Sequence, residues 1–263
     1  LFITTYAVFT GICDGDSLTV SGNGTFEDAS AGTNKTVTID QSSLTLGGTS
    51  SGNYVLASGV NQTQTTATIS KKKITITGVT VADKEYDGNT TATTNITNAV
   101  VTGLVGSDNV EFTVSGAFAD ANKGENKPVT LSNWTLTSSG DNYEIDAANS
   151  QQTAVASITG TQVYITGISA VNKEYDGNKT AIVSGTAVLK KVKDNAIVND
   201  LTVSNITAEF ADKNAGDGKA VTITGGTLSD SENYTLVPGV TTGLTANITP
   251  KPVTITRLSA ENK

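Results

Sequence analysis

Two stretches of the chain carry several reactive groups at close spacing. Lys84-Glu85-Tyr86-Asp87-Gly88-Asn89 recurs residue for residue as Lys173-Glu174-Tyr175-Asp176-Gly177-Asn178, 89 positions later. An ammonium, two carboxylates, a phenol and an amide within six residues could bind a ligand or move a proton. The chain has no histidine. That removes the usual general base, the Ser/His and Cys/His nucleophile pairs and most zinc sites. Repetition also weighs against chemistry, because a catalytic motif is written once per site and a structural signature once per unit. Asp87-Gly88 and Asp176-Gly177 are strong turn dipeptides: glycine accepts positive φ and aspartate bonds backbone amides two residues on. The expected role is a strand-ending turn. Tyr86 and Tyr175 pack the ring inward, and Lys84 and Lys173 reach nearby carboxylates in exposed pairs that add little.

Other candidate groups fall under the same comparison. Asp83, Glu85, Asp87, Asp108, Asp120, Glu125 and Asp141 cluster near turns, and calcium takes several such oxygens. No EF-hand string accompanies them, so solvated acidic turns and no cofactor are the expectation, with calcium as the alternative. Lys35, Lys127 and Lys219 each lie near Asp and Asn residues, the pairing from which a Lys–Asp or Lys–Asn amide cross-link is made. Cys13 is the sole cysteine, which leaves no intrachain disulfide. Trp134, the only tryptophan, suits sheet packing better than a sugar platform. About ten Asn-x-Thr sequons, among them Asn95 and Asn205, arise in a chain rich in both residues. Lys190, Lys191 and Lys193 form a small basic spot.

The elements that hold these groups are written in repeats. Phe26–Ile39, Phe118–Leu131 and Phe210–Ile223 begin 92 residues apart, and the strings GNYVL (from Gly52), DNYEI (from Asp141) and ENYTL (from Glu232) follow each. The junctions TATISKKKITITG, AVASITGTQVYITG and LTANITPKPVTIT also correspond. Residues 71–159 and 160–249 read as two complete units of roughly 90 residues. Residues 1–70 read as a unit without its first strand, and 250–263 as the first strand of a further unit. With no methionine at its start, the chain reads as a fragment or a processed product.

Within a unit the pattern is all-β. Lys72–Val79 alternates Ile74 and Ile76 with threonine, the period of a half-buried strand. Val110–Phe118, Lys127–Leu136, Asn142–Ile145 and Thr153–Thr159 follow, and Leu1–Phe9 reads as a strand, not a signal peptide. Only Ala187–Val198 allows a short helix. Regularly spaced short strands predict Ig-like sandwiches built of antiparallel sheets. Junctions of about two residues, stiffened by Pro250 and Pro252, predict an elongated rod on the order of 100 Å for three units.

As a set, KEYDGNTTA, FADANKGENKPVTL, DNYEI and ITPKPVTIT resemble the YDG/MBG-type tandem repeats of bacterial surface adhesins, the filamentous-haemagglutinin-like proteins. ITGTQV departs by lacking the prolines of ITPKPV, and the first unit lacks the signature tyrosine. The resemblance implies extracellular β-domains at the cell surface and no catalytic residue, and, since the family is likened to β-grasp folds, it makes β-grasp-like units the alternative to Ig-like sandwiches. The function expected is a non-catalytic stalk or filament segment. Its partners are neighbouring repeats or identical subunits, joined head to tail if residues 250–263 complete residues 1–70 of another molecule by strand addition. In a long chain the same ends mark only a window cut in phase with the repeat. A carbohydrate- or protein-binding adhesin module is the alternative function. A net charge of −8 argues against nucleic acid and anionic membranes, and no run approaches the ~20 apolar residues of a spanning helix.

Overall fold

The computed structural model describes residues 2–3, 7–241 and 243–261. It is all-β; the only helical elements among the described residues are two 3-10 turns, Gln41–Ser43 and Ser51–Asn53. No described helix is long and apolar enough to cross a membrane. The residues group into two compact units, one of 1–80, 94–115 and 131–153, the other of 81–93, 116–130 and 154–263.

The third repeat lies wholly in the second of these units. Its opening strand, Thr161–Ala170, is the middle of a three-stranded sheet between Val183–Lys191 and Tyr234–Leu236. A five-stranded sheet runs Lys173–Glu174, Thr245–Thr249, Gly216–Leu228, Val203–Phe210, Thr180–Ala181. Alternation turns Val163, Ile165, Phe210, Val221, Ile223 and Ile248 inward, each at most 4% exposed, into one apolar cluster. Burying each such side chain contributes about 1.5–3 kcal/mol. The intervening threonines stay at the surface, which explains why a chain so rich in threonine forms strands.

The second repeat uses the same strand orders. Val100–Thr102, Lys72–Thr77 and Tyr143–Ile145 form its three-stranded sheet. The other sheet runs Lys84–Glu85, Thr153–Thr159, Gly124–Leu136, Phe112–Phe118, Thr91–Ala92. The first repeat has the sheet Phe2–Ile3, Thr19–Phe26, Gly32–Ile39, Gln64–Ile69, with Thr45–Gly47 also paired to Thr19–Phe26.

Several expectations need correction. The sheets are mixed where antiparallel pairing was expected: the opening strands pair parallel with Tyr143–Ile145 and Tyr234–Leu236, and Lys84–Glu85 and Lys173–Glu174 pair parallel with the closing strands. The helix allowed over Ala187–Val198 is absent. Val183–Lys191 is a strand that follows Thr161–Ala170 from Ala170↔Val183 to Val163↔Lys191, because pairing with a buried neighbour outweighs a weak helical period. Residues 250–261 belong to no strand and are exposed. Their counterparts Lys72–Thr77 and Thr161–Ala170 pair with residues that follow them in sequence, and a strand without partners leaves its backbone to water. Phe2–Ile3 form a strand, but Ala7–Phe9 do not. The rest of the expected strand, Leu1 and Thr4–Tyr6, lies outside the described residues, as do Asn262 and Lys263.

Two backbone devices recur. Asn34, Asn126 and Gly218 occupy equivalent left-handed positions, φ +54°, +50° and +57°. In the first and third repeats this residue sits in a bulge, where the register shifts between Gly32 and Lys35 and between Gly216 and Lys219. Gly167, at φ +78°, sits at the bulge between Thr166 and Ile168, where an added Cβ would lie 2.6 Å from the carbonyl oxygen of Thr186.

Candidate functional site

The hexapeptide loop closes on its own lysine. Lys84 leaves the short strand Lys84–Glu85, and its Nζ donates to Asp87 Oδ1 at 2.6 Å, Asn89 O at 2.8 Å, Asn89 Oδ1 at 3.0 Å and Thr91 O at 3.2 Å. Lys173 repeats this with Asp176 Oδ1 at 2.8 Å, Asn178 O at 2.9 Å, Asn178 Oδ1 at 3.0 Å and Thr180 O at 3.0 Å. Two Asx turns complete each loop. Asn89 N–H donates to Asp87 Oδ1 and Thr91 N–H to Asn89 Oδ1, and Asn178 and Thr180 do the same in the third repeat. Gly88 and Gly177 take φ +79° and +84° at the tip. Phe118 and Phe210 lie beneath, their ring centroids 5.8 Å and 5.5 Å from the ammonium groups.

Lys84 and Lys173 are therefore more than exposed ion-pair partners. Their side chains are only 17% and 16% exposed, and each ammonium organises a whole turn. Burial pushes the Asp87 carboxyl up, but Lys84 and the Asn89 N–H outweigh it and leave it below its ordinary value. Lys173 and the Asn178 N–H hold the Asp176 carboxyl low. A carboxylate so engaged is a poor general base.

A second lysine lock sits in the loop before each bulge. Lys35 pairs with Asp28, Lys127 with Asp120 at 2.5 Å and Lys219 with Asp212 at 2.6 Å. Each aspartate also accepts the N–H two residues on, from Ser30, Asn122 and Asn214. The lysines are 11–13% exposed and the aspartates 52–55%. The sites considered for an amide cross-link are thus ion pairs, and the lysine in each case holds the carboxyl below its ordinary value.

That lock positions a clasp to the next repeat, which sequence reasoning did not single out. In the first unit Ala31 N–H donates to Asn142 Oδ1 at 2.8 Å and Lys72 N–H to Asn142 O at 2.9 Å. In the second unit Lys123 N–H donates to Asn233 Oδ1 at 2.8 Å and Thr161 N–H to Asn233 O at 2.9 Å. Asn233 is 5% exposed, and its Nδ2 also donates to Asn122 Oδ1 and Asp230 Oδ2. Thr161, fully buried, donates through its hydroxyl to Tyr86 O at 3.0 Å. The Tyr86 ring packs against the buried cluster of Ala92, Phe118, Val129, Ala156 and Ile158 in its own repeat and meets Tyr234 of the next edge-on, centroids 5.3 Å apart. Tyr175 packs against the third-repeat core. The only signal for the clasp in the sequence was the asparagine before tyrosine in DNYEI and ENYTL.

The tyrosines of GNYVL and DNYEI have their own partners. Tyr54 Oη donates to Asp16 Oδ2 at 2.6 Å, and Tyr143 Oη to Asp108 Oδ2 at 2.5 Å. The Asp16 bond pushes the Tyr54 hydroxyl up to about 12. Other candidate groups are similarly engaged. Asp83 accepts from Ser157 N–H, Trp134 packs near Phe112 with centroids 6.0 Å apart, and Lys193 reaches Glu85 at 3.5 Å. Among the described residues no three acidic, cysteine or histidine side chains gather where they could hold a metal. Cys13 is exposed.

No curated protein and no solved structure matches the chain. The family model of the YDG domain matches three successive segments, residues 3–66, 70–154 and 159–242. With these matches spanning most of its length, the chain belongs to the YDG domain family as a tandem array of three repeats.

Proposed function

We propose that the chain is a non-catalytic structural segment of a bacterial surface adhesin or fibre, set outside the cell, in which successive YDG repeats form a stiff stalk. Its partners are neighbouring repeats or identical subunits. One observation carries the reading. The groups that looked chemically able are engaged in holding their own loop or clasping the next repeat, with the same partners in each copy. Lys84 and Lys173 share four acceptors at equivalent positions, and Asn142 and Asn233 both accept at 2.8 Å. A binding module would need one repeat to differ from the others at its surface.

The test is protease shaving of intact source cells, with detection by an antibody to the chain and negative-stain imaging of the released material. Extended particles released without lysis are expected. Signal found only after lysis, or compact particles, would overturn the reading. A glycan array probed with the whole chain should stay blank; saturable binding would replace the stalk with an adhesin module.

A further inference from the structure

We propose that the second and third repeats each resist tension through two clamps, one on the opening strand and one on the closing strand. Each clamp is a pair of parallel strands pulled from opposite ends. The inference deepens the stalk reading above and rests on it, because a stalk passes tension from repeat to repeat along the main chain.

The third repeat shows both clamps. Its opening strand, Thr161–Ala170, runs parallel to Tyr234–Leu236, with Thr161 opposite Tyr234, Gln162 opposite Thr235 and Val163 opposite Leu236. Thr161 N–H donates to Asn233 O at 2.9 Å and Val237 N–H to Val163 O at 2.8 Å, one bond at each end of this ladder. The closing strand, Thr245–Thr249, runs parallel to Lys173–Glu174, with Ile248 opposite Lys173 and Thr249 opposite Glu174. At one end Tyr175 N–H donates to Thr249 O at 2.9 Å; at the other Asn247 N–H donates to Asn172 Oδ1 at 2.7 Å.

The second repeat keeps both pairings. Lys72–Ile74 run parallel to Tyr143–Ile145, and Ile158 and Thr159 lie parallel to Lys84–Glu85. Tyr86 N–H donates to Thr159 O at 2.8 Å and Ser157 N–H to Asp83 Oδ1 at 2.6 Å. Asp83 and Asn172 thus add a side-chain rung at the same place in both closing ladders.

Chain order makes these ladders clamps. Tension enters a repeat at the N-end of its opening strand and leaves at the C-end of its closing strand. Tyr234–Leu236 precedes the closing strand and is drawn forward with it, while Lys173–Glu174 follows the opening strand and is held back by it. In each parallel pair one strand is therefore pulled at its N-end and the other at its C-end, which are opposite ends of the ladder. The rungs resist together, and the strands must slide before any bond parts. A hairpin pulled at its two free ends is antiparallel and takes the pull at one end of the ladder, so it opens rung by rung. Sliding is opposed by packing as well. Ile158 and Ile248 are each 1% exposed, and a slip of one residue turns a strand's buried side chains to the other face.

The test is single-molecule force spectroscopy of the whole chain held by its two ends, compared with a C13S/V171C/T245C chain held at residues 171 and 245. Val171 and Thr245 are exposed, and both lie at the N-end of the Lys173–Glu174 ladder, so this pull peels it. Held by its ends, the chain should lengthen by about 250–300 Å as each repeat gives way. Under one fixed force, a repeat held end to end should last about tenfold longer or more than the third repeat held at 171 and 245. D83A/N172A, which removes the side-chain rung from both closing clamps, should shorten the end-to-end lifetime about 2- to 10-fold. Equal lifetimes in the two pulling geometries, or a D83A/N172A chain that lasts as long as its parent, would overturn the clamps. Cell shaving reads location and not rupture, so the clamps and the surface location fail separately.

Discussion

Replacing Asn233 with alanine tests whether the repeats are clasped by a specific buried amide. The side chain is 5% exposed and accepts from Lys123 N–H at 2.8 Å. It donates to Asn122 Oδ1 at 3.2 Å and Asp230 Oδ2 at 3.0 Å. Asn233→Ala leaves the Lys123 N–H without its acceptor in a part-buried place, a loss of about 1–3 kcal/mol. Asn142 makes the equivalent bond to Ala31 N–H but is exposed, so water can replace its amide and Asn142→Ala costs about 0.5–1 kcal/mol. Amide exchange reads this locally. The Lys123 N–H in Asn233→Ala should exchange about 5- to 150-fold faster, and the Ala31 N–H in Asn142→Ala about 2- to 5-fold faster. The backbone bond from Thr161 N–H to Asn233 O is kept, so global unfolding is not expected. Unchanged Lys123 exchange, or a larger effect at Asn142, would refute the clasp.

Gly167→Ala forces a left-handed φ of +78° on a side chain and drives its Cβ to within 2.6 Å of Thr186 O. A loss of about 2–4 kcal/mol is expected in urea unfolding, and one below 0.5 kcal/mol, roughly the level of an ordinary surface change, would refute the bulge. Tyr86→Ala should cost about 0.5–1.5 kcal/mol more than Tyr175→Ala, because Tyr86 has an edge-on ring partner, Tyr234, and Tyr175 has none among the described residues; equal losses in denaturant titrations would contradict the contact. Asp28, Asp120 and Asp212 are held below their ordinary value of 3.8. Their stabilisation is therefore present above that pH and lost as pH falls through the folded values. The melting temperature should hold from about pH 7 to 5 and drop below about pH 4. Lys127→Met should lower it at neutral pH yet shrink the acid drop, and an unchanged drop would count against the pair.

The repeats and most strands were legible from residue types alone. Ile74 and Ile76 alternating with threonine, and the Asp-Gly tips at 87–88 and 176–177, are local signals that do not depend on what lies opposite. The strand Thr153–Thr159 was read to the residue. Ala187–Val198 was ambiguous because Lys190, Lys191 and Asp194 suit either period; Thr161–Ala170 beside it settles the matter. The lysine locks were half legible. Lys84 and Asp87 are close in sequence, but four acceptors converging on one ammonium depend on the fold of the loop. Asn142 and Asn233 were invisible as a clasp, since their donors lie 111 and 110 residues away.

Period and composition thus dictate an all-β chain of recurring YDG units with acidic surfaces, because strand alternation and turn chemistry are properties of neighbours along the backbone. Which strands run parallel, which amide joins one repeat to the next, and why residues 250–261 stay unpaired while identically patterned segments are buried depend on partners far away in sequence. Hydrogen bonds and apolar contacts across such distances exist only once the chain has folded.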